Sequence, residues 1–165
     1  MTQTILGQIL GLTAVLVSSA AQAQADCGWT SEGTWANYQA GTLSETQQKF
    51  APLKPEGEGV TATGAPVKVQ VRYEGKMRSI SEVNREAIAK FAGSEQTVTE
   101  LFTKEFLFTE NGVKYWLPLQ AQMMPFVEKE LSKGDQVELL TLWVGYSHPK
   151  GKEHHTFVVN EFCKP

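Results

Sequence analysis

The sequence predicts a mainly β domain with two helices, an α+β fold, and three local patterns carry that prediction. Residues 67–73 alternate apolar and polar side chains, which is the period of a strand with one buried face. Asn111-Gly112 stands between two apolar runs, as in a β-hairpin with a type I′ turn. Residues 137–146 are apolar on both faces, which suits a central strand.

A helix is predicted at about residues 80–91, after the first strand. Ser79 and Glu82 have the spacing of a capping box, in which a hydroxyl and a carboxylate satisfy the first amides of a helix. Apolar residues then recur at helical spacing until Gly93, which is typical of a helix end. The pattern therefore indicates one helix between the first two strands.

The second half of the chain is predicted to contain the hairpin, a short helix and two more strands. The hairpin pairs about 102–109 with 113–118. Pro125 can occupy the first turn of a short helix that ends near Leu131. The last strand is expected at about 154–162.

The order of these elements resembles the OB-fold, a five-stranded Greek-key barrel, with the short helix between the third and fourth strands. The resemblance covers residues 67–162, with the helix at 80–91 as an insertion, and extends to exported bacterial proteins with such barrels. It implies an OB-like β-barrel domain over residues 67–165. The alternative is an open antiparallel α+β sheet with both helices on one face. Strand pairing between the first and last thirds of the sequence would support the barrel, and an open sheet would overturn it.

Residues 1–23 have the pattern of a cleavable signal peptide. The first 25 residues contain no Asp, Glu, Lys or Arg, and the apolar run at 10–17 is shorter than the roughly 20 residues of a membrane span. Ala-x-Ala patterns predict cleavage after Ala23 or Ala25. We therefore expect a periplasmic or secreted protein without a transmembrane anchor, with one mature domain of about 140 residues.

Residues 26–66 are rich in Gly and Pro and predict an irregular arm that packs on the domain. Only the stretch from Thr42 to Phe50, which begins with a capping-box spacing, has helical character. Cys27 and Cys163 are the two cysteines of the chain, and an exported chain is expected to join them in a disulfide. Such a bond would hold the two ends of the mature chain together.

The loop before the last strand carries most of the candidate ligand-binding residues. His148, Lys150 and Lys152 precede His154, and in OB-like barrels the loop between the last two strands commonly binds ligands. His154 and His155 are adjacent on a strand and therefore point to opposite faces, so they are poorly placed to share a metal ion. No metal and no cofactor are predicted.

Three further candidates lie on strands. Trp116 and Trp143 are candidates for an aromatic surface on which a ligand stacks. Glu161 shares a strand face with apolar residues, and a buried carboxylate there would need a partner such as Arg72 or Arg78.

Composition and motifs limit the function. The net charge of −3 argues against nucleic acid as a partner. No established catalytic motif occurs, so no catalytic residue is assigned. We predict a non-enzymatic exported module that binds an unidentified protein or small-molecule ligand. Two alternatives stay open: a hydrolase with a carboxylate pair that includes Glu161, and a structural subunit of an envelope assembly.

Overall fold

The computed structural model describes residues 27–29, 36–55 and 60–165. The predicted signal peptide at 1–23, with its cleavage after Ala23 or Ala25, lies outside the described residues.

The described part of the chain is mainly β, as predicted, with six strands and four helices. The strands are β1 (Gln39–Ala40), β2 (Val60–Ser79), β3 (Lys104–Glu110), β4 (Val113–Leu119), β5 (Gln136–Ser147) and β6 (His154–Cys163). The helices are α1 (Leu43–Phe50), α2 (Glu82–Ala92), α3 (Glu95–Leu101) and α4 (Met124–Glu130). Short 3₁₀ turns cover Ala51–Leu53, Ala121–Met123 and Pro149–Gly151.

Five of the strands pair in a ring within one mixed sheet. The order runs β2, β3, β4, β6 and β5, and β5 pairs back onto β2. The β4–β6 pairing is parallel, at Leu119 and Val159, and the other pairings in the ring are antiparallel. The long pairing of β2 with β5 runs from Val60 opposite Ser147 to Arg72 opposite Gln136. The first long strand of the chain is therefore paired with a strand close to its C-terminal end.

The β3–β4 hairpin confirms the prediction made from Asn111-Gly112. Glu110 pairs with Val113, so the turn consists of Asn111 and Gly112 alone. Their φ angles are 49° and 83°, the left-handed conformation that a type I′ turn needs at both positions.

β2 begins at Val60, well before the predicted start at residue 67. Residues 60–66 include Ala, Gly and Pro and have little strand propensity of their own. Pairing with β5 makes this segment a strand.

α2 begins later than the capping-box spacing predicts. Ser81, not Ser79, occupies the N-cap, and its hydroxyl donates to the carboxylate of Glu105 and accepts no N–H of the helix. Gly93 ends the helix with a φ of 68°, as predicted. α3 is absent from the sequence-based prediction because its segment contains β-branched residues with low helix propensity, and packing against α2 supports it.

The core has two parts. The larger cluster fills the ring, where Phe106, Phe108 and Trp143 are fully buried, and α1 and α4 contribute Leu43 and Val127. The smaller cluster lies outside the ring, between α2 and the strands β5 and β6; its buried members are Ile88, Phe102, Val144 and Val158. α2 is therefore held on the outer face of the sheet.

A disulfide joins Cys27 to Cys163, as predicted, across a sequence separation of 136 residues. This bond is compatible with an exported protein. None of the helices in the described residues is long and apolar enough to cross a membrane.

Candidate functional site

The candidate site is built around Glu105, a fully buried carboxylate on β3. Its Oε2 accepts a hydrogen bond from Arg78 Nε at 2.6 Å. Its Oε1 accepts from the Ser81 N–H at 2.8 Å, the Ser81 hydroxyl at 2.7 Å and Asn84 Nδ2 at 2.7 Å. A buried charge needs this degree of hydrogen bonding, since an unpaired one costs several kcal/mol.

The sheet register and the start of α2 bring these groups together. Arg78 on β2 lies directly opposite Glu105 on β3, so both side chains project from the same outer face of the sheet. Ser81 and Asn84 belong to the N-cap and first turn of α2, where amide groups and the helix dipole favour a carboxylate. Glu105 thus fastens α2 to the sheet and orients Arg78.

Arg78 is held on two sides. Its guanidinium carbon lies 4.2 Å above the centroid of the Trp116 ring, while its Nε is bonded to Glu105. The side chain is nevertheless 44 % exposed. In the described part of the chain, its two terminal nitrogens have no hydrogen-bond acceptor. Arg78 therefore presents a fixed fork of N–H donors to solvent.

Two more cations stand beyond Trp116 on the outer face of the same three strands. Arg72 on β2 and Lys114 on β4 both lie opposite Thr109 of β3. Arg72 forms an ion pair of 3.0 Å with Glu74, which also accepts a hydrogen bond from the Thr109 hydroxyl. These hydrogen bonds lower the pKa of Glu74, the one from Thr109 most. The cations around Trp116 thus stand beside acidic partners: Glu105 for Arg78, and Glu74 for Arg72.

The network continues inward from Asn84 to His154. Asn84 Oδ1 accepts from the Thr156 hydroxyl at 2.8 Å and meets His154 Nε2 at 2.7 Å. Because Asn84 Nδ2 donates to Glu105, Oδ1 is the acceptor and His154 Nε2 carries the hydrogen. Burial lowers the pKa of His154, against an opposing effect of Glu105. The structure therefore links two predicted residues, His154 and Trp116, through Asn84, Glu105 and Arg78. Of these three, the sequence singled out only Arg78, and as a possible partner of Glu161.

Trp143 does not share a surface with Trp116, in contrast to the predicted pair of ligand-stacking aromatics. Trp143 is fully buried inside the ring and stacks on Phe50 of α1, with ring centroids 4.1 Å apart. Its indole N–H donates to His155 Nδ1 at 3.2 Å. The alternation of β5 turns this side chain to the interior, where a ligand cannot reach it.

His155 is committed to the same buried group. Its ring lies against Tyr146, with centroids 4.4 Å apart, and its Nδ1 accepts the Trp143 indole hydrogen. Burial lowers the pKa of His155 to about 4. Protonation of His155 Nδ1 would place its N–H against the indole N–H of Trp143, which agrees with the lowered pKa of His155.

The other loop residues stay apart from Trp116. Lys150 and Lys152 are exposed, and His148 is half-buried before the turn Pro149–Gly151. Of the predicted loop residues, only His154 reaches the network around Glu105. Within the described ranges, no group of three or more His, Cys, Asp or Glu residues is placed to hold a metal ion.

Glu161 does not pair with Arg72 or Arg78, as its predicted burial would have required. It is half-buried, and its carboxylate accepts the N–H of Phe162 at 3.1 Å. A bulge is the cause: Thr141 pairs with Val159 but Leu140 pairs with Glu161, so β6 has an extra residue at Asn160. Phe162 then enters the core in place of Glu161.

Comparison of the chain with models of protein families finds no match, and comparison with curated protein sequences finds none either.

Proposed function

We propose that this chain is an exported, non-enzymatic binding module that recognises an anionic group, a carboxylate or a phosphate, at Arg78. The observation that carries the proposal is the guanidinium held between Glu105 and the Trp116 ring with its terminal nitrogens uncommitted. A planar fork of this kind matches a carboxylate or phosphate with two parallel hydrogen bonds.

The surroundings of Arg78 reduce the cost of binding. Ordering a flexible arginine costs up to about 2 kcal/mol of side-chain entropy, and here Glu105 and Trp116 already fix it. Trp116 also screens one face of the guanidinium from water, which strengthens a hydrogen bond to an anion. Lys114 adds a positive charge along the same face, whereas the charge of Arg72 is balanced by Glu74.

The strand order supports an OB-like barrel as the scaffold. The ring order, the parallel β4–β6 pairing and the position of α4 between β4 and β5 are the features expected of that fold. OB-folds bind ligands on the face of their second and third strands, which correspond to β3 and β4. Trp116 and Glu105 lie on that hairpin.

Export is supported by the Cys27–Cys163 disulfide together with the signal-peptide pattern of residues 1–23. A periplasmic or secreted location follows from this proposal. N-terminal sequencing of the exported protein tests it, and an uncleaved Met1 would contradict it.

Titration with sodium benzoate and with inorganic phosphate tests the anion site. We expect the Trp116 indole and Arg78 Nε signals to shift in ¹H–¹⁵N spectra, with affinity lowered roughly tenfold in Arg78→Lys, which keeps the charge but loses the fork. Arg85→Lys, on the exposed side of α2, is the matched control. Equal affinity in the wild type and a folded Arg78→Lys variant would refute the proposal.

A hydrolase is the second candidate, because Glu161 and Glu130 line one groove of ≈ 420 Å³ together with Phe126. Two carboxylates on one cleft are the minimum for acid–base hydrolysis of glycosides. A panel of nitrophenyl glycosides tests this candidate, with Glu161→Gln expected to abolish turnover and Glu128→Gln, exposed on α4, expected to keep it. Turnover that persists in Glu161→Gln would exclude the pair.

A structural subunit of an envelope assembly has weaker support. The exposed large apolar residues of the described chain lie on six separate elements and not on one: Leu53, Met77, Phe91, Leu101, Val113 and Phe126.

A further inference from the structure

A groove of ≈ 630 Å³ runs along one edge of β2, away from Arg78. At Val67 and Lys68, β2 pairs with β5 and also with β1, so β1 must lie on the edge opposite β5. At Arg72, β2 pairs with β5 and with β3, so β3 lies on that same edge. In the described chain no strand pairs with this edge between Lys68 and Arg72, and the groove occupies the gap.

The backbone of Gln70 faces the gap. The Lys68 carbonyl accepts the N–H of Gly41, so Lys68 turns its backbone polar groups toward β1. Residues two apart in a strand turn these groups to the same edge, so Gln70 presents its N–H and C=O to the groove. One donor and one acceptor, spaced as in a β-ladder, are therefore open to an extended chain.

The length of the gap sets the size of the occupant. Four residue steps separate Lys68 from Arg72, which is roughly 13 Å of strand. About three residues of extended peptide fit this distance. The walls at the two ends are the start of α1, at Gly41 and Thr42, and the tip of the β3–β4 hairpin.

The side chains that line the groove suit a polar peptide. Lys68 and Glu138 lie 3.9 Å apart on one wall, and Arg72 stands at the far end with its side chain 51 % exposed. Gln70, Gln136 and Asn111 each carry an amide that donates and accepts. The lining holds no aromatic side chain, so backbone and amide hydrogen bonds dominate recognition.

We propose that this groove binds an extended peptide segment, one residue of which forms a β-bridge with the backbone of Gln70. Neither Arg78 nor Trp116 lines this groove, although Arg72, which lies on the same outer face as Arg78, does. The proposal therefore adds a peptide-binding site that can be tested separately from the anion site.

The test uses acetyl-trialanine methylamide as the probe and capped trilactate, in which every amide is an ester, as its matched analogue. In ¹⁵N-labelled wild-type protein we expect the peptide to shift the amide signals of Gln70, Gly41 and Thr109. The ester lacks N–H donors and should bind at least about tenfold more weakly. Equal binding of peptide and ester, or shifts confined to other residues, would overturn the proposal.

Two substitutions at one position separate backbone from side chain. Gln70→Pro removes the open N–H without breaking a bond to β5, and proline is tolerated where its nitrogen faces an open edge. It also removes the Gln70 side chain and fixes φ at about −65°, so Gln70→Ala is the control for the side chain. Gln70→Pro should abolish the peptide-induced shifts at Gly41 and Thr109, whereas Gln70→Ala should preserve them. Unchanged binding in a folded Gln70→Pro variant would refute the bridge. If Gln70→Pro does not fold, the peptide and ester comparison in wild type decides.

Discussion

The two ends of β3 each carry a buried carboxylate, and their different partners give them different roles. Glu105, near the start of β3, projects its side chain from the outer face of the sheet. It is fully buried there and accepts hydrogen bonds from side chains of β2 and α2. Glu110 at the end is 4 % exposed and accepts only backbone hydrogens, from Leu43 N at 2.9 Å and Ser44 N at 3.2 Å. One carboxylate joins helix and arginine, while the other caps a helix.

The cap at the Glu110 end is complete without any cation. The Glu110 carboxylate accepts hydrogen bonds from the first two amides of α1. The Thr42 hydroxyl accepts from the Glu45 N–H at 3.0 Å, and the Thr42 carbonyl accepts from the Thr46 N–H. The first three amides of α1 are thereby satisfied by side chains, and the Thr46 N–H makes the first intrahelical bond. A buried carboxylate can therefore dock a helix alone. Arg78, at the Glu105 end, is therefore more than the docking of a helix requires, and its guanidinium reaches the surface.

Glu105→Ala should produce the largest loss of stability. It leaves Asn84 Nδ2, the Ser81 N–H and the Ser81 hydroxyl without an acceptor, and removal of one member of a buried charged pair costs about 3–5 kcal/mol. Urea unfolding measures the change, with Glu130→Ala, exposed on α4, as the control. A loss below about 1 kcal/mol would mean that α2 is held by its apolar contacts alone.

Glu110→Ala should cost less, about 2 kcal/mol. Only two backbone amides lose their acceptor, and the dipole of a short helix loses its counter-charge. The loss should be local to α1, so hydrogen exchange should rise at residues 43–46 and stay unchanged in α2. Equal exchange in both helices would show that the two ends of β3 are not independent.

Local signals made much of the fold predictable. Asn111-Gly112 determines its own turn, Pro125 lies in the first turn of α4, and the cysteine count determined one disulfide. The network around Glu105 had no such signal, because its partners come from 21 to 27 residues away and are polar residues of ordinary surface type. The alternation with Phe106 and Phe108 placed Glu105 on the outer face, but only the position of α2 buries it.

The prediction for Glu161 failed for a related reason. Strict alternation from Phe157 and Val159 puts Glu161 in the core, but the bulge at Asn160 reverses the faces beyond it. No residue type marks that bulge in the sequence. Trp116 and His154 were predicted as candidates from their residue types, whereas the Asn84 and Glu105 side chains that connect them to Arg78 are of ordinary surface type.

Mild acid should weaken the α1 side of the ring. His155 lines a groove with Ser44 and Gln47 of α1, and its pKa falls from 6.5 to about 4 on folding. A histidine whose pKa is lowered in the folded state contributes stability that is complete above pH 6.5 and lost as the pH falls toward 4. Because the ring is only half-buried, we expect a loss of roughly 1–2 kcal/mol.

Urea unfolding of the wild type and His155→Gln between pH 7 and 4 measures this loss, and the variant should lose less over that range. His154, whose pKa is also lowered, adds to the slope in both proteins. The same slope in wild type and variant would show that His155 does not contribute, and would leave the effect to His154 and to acids such as Glu74 whose pKa is also lowered on folding.

Thr42→Ala should have the smallest effect, about 1 kcal/mol, because it removes one side-chain hydrogen bond at an N-cap. The Thr42 carbonyl still accepts from the Thr46 N–H, and Glu110 still holds the first two amides. Thr42→Ser keeps the hydroxyl and should unfold with nearly the wild-type midpoint. In a double-mutant cycle with Glu110→Ala, the loss of stability in the double variant should exceed the sum of the two single losses, since either group alone keeps α1 ordered. Strict additivity would show that Glu110 and the Thr42 hydroxyl stabilise the start of α1 independently.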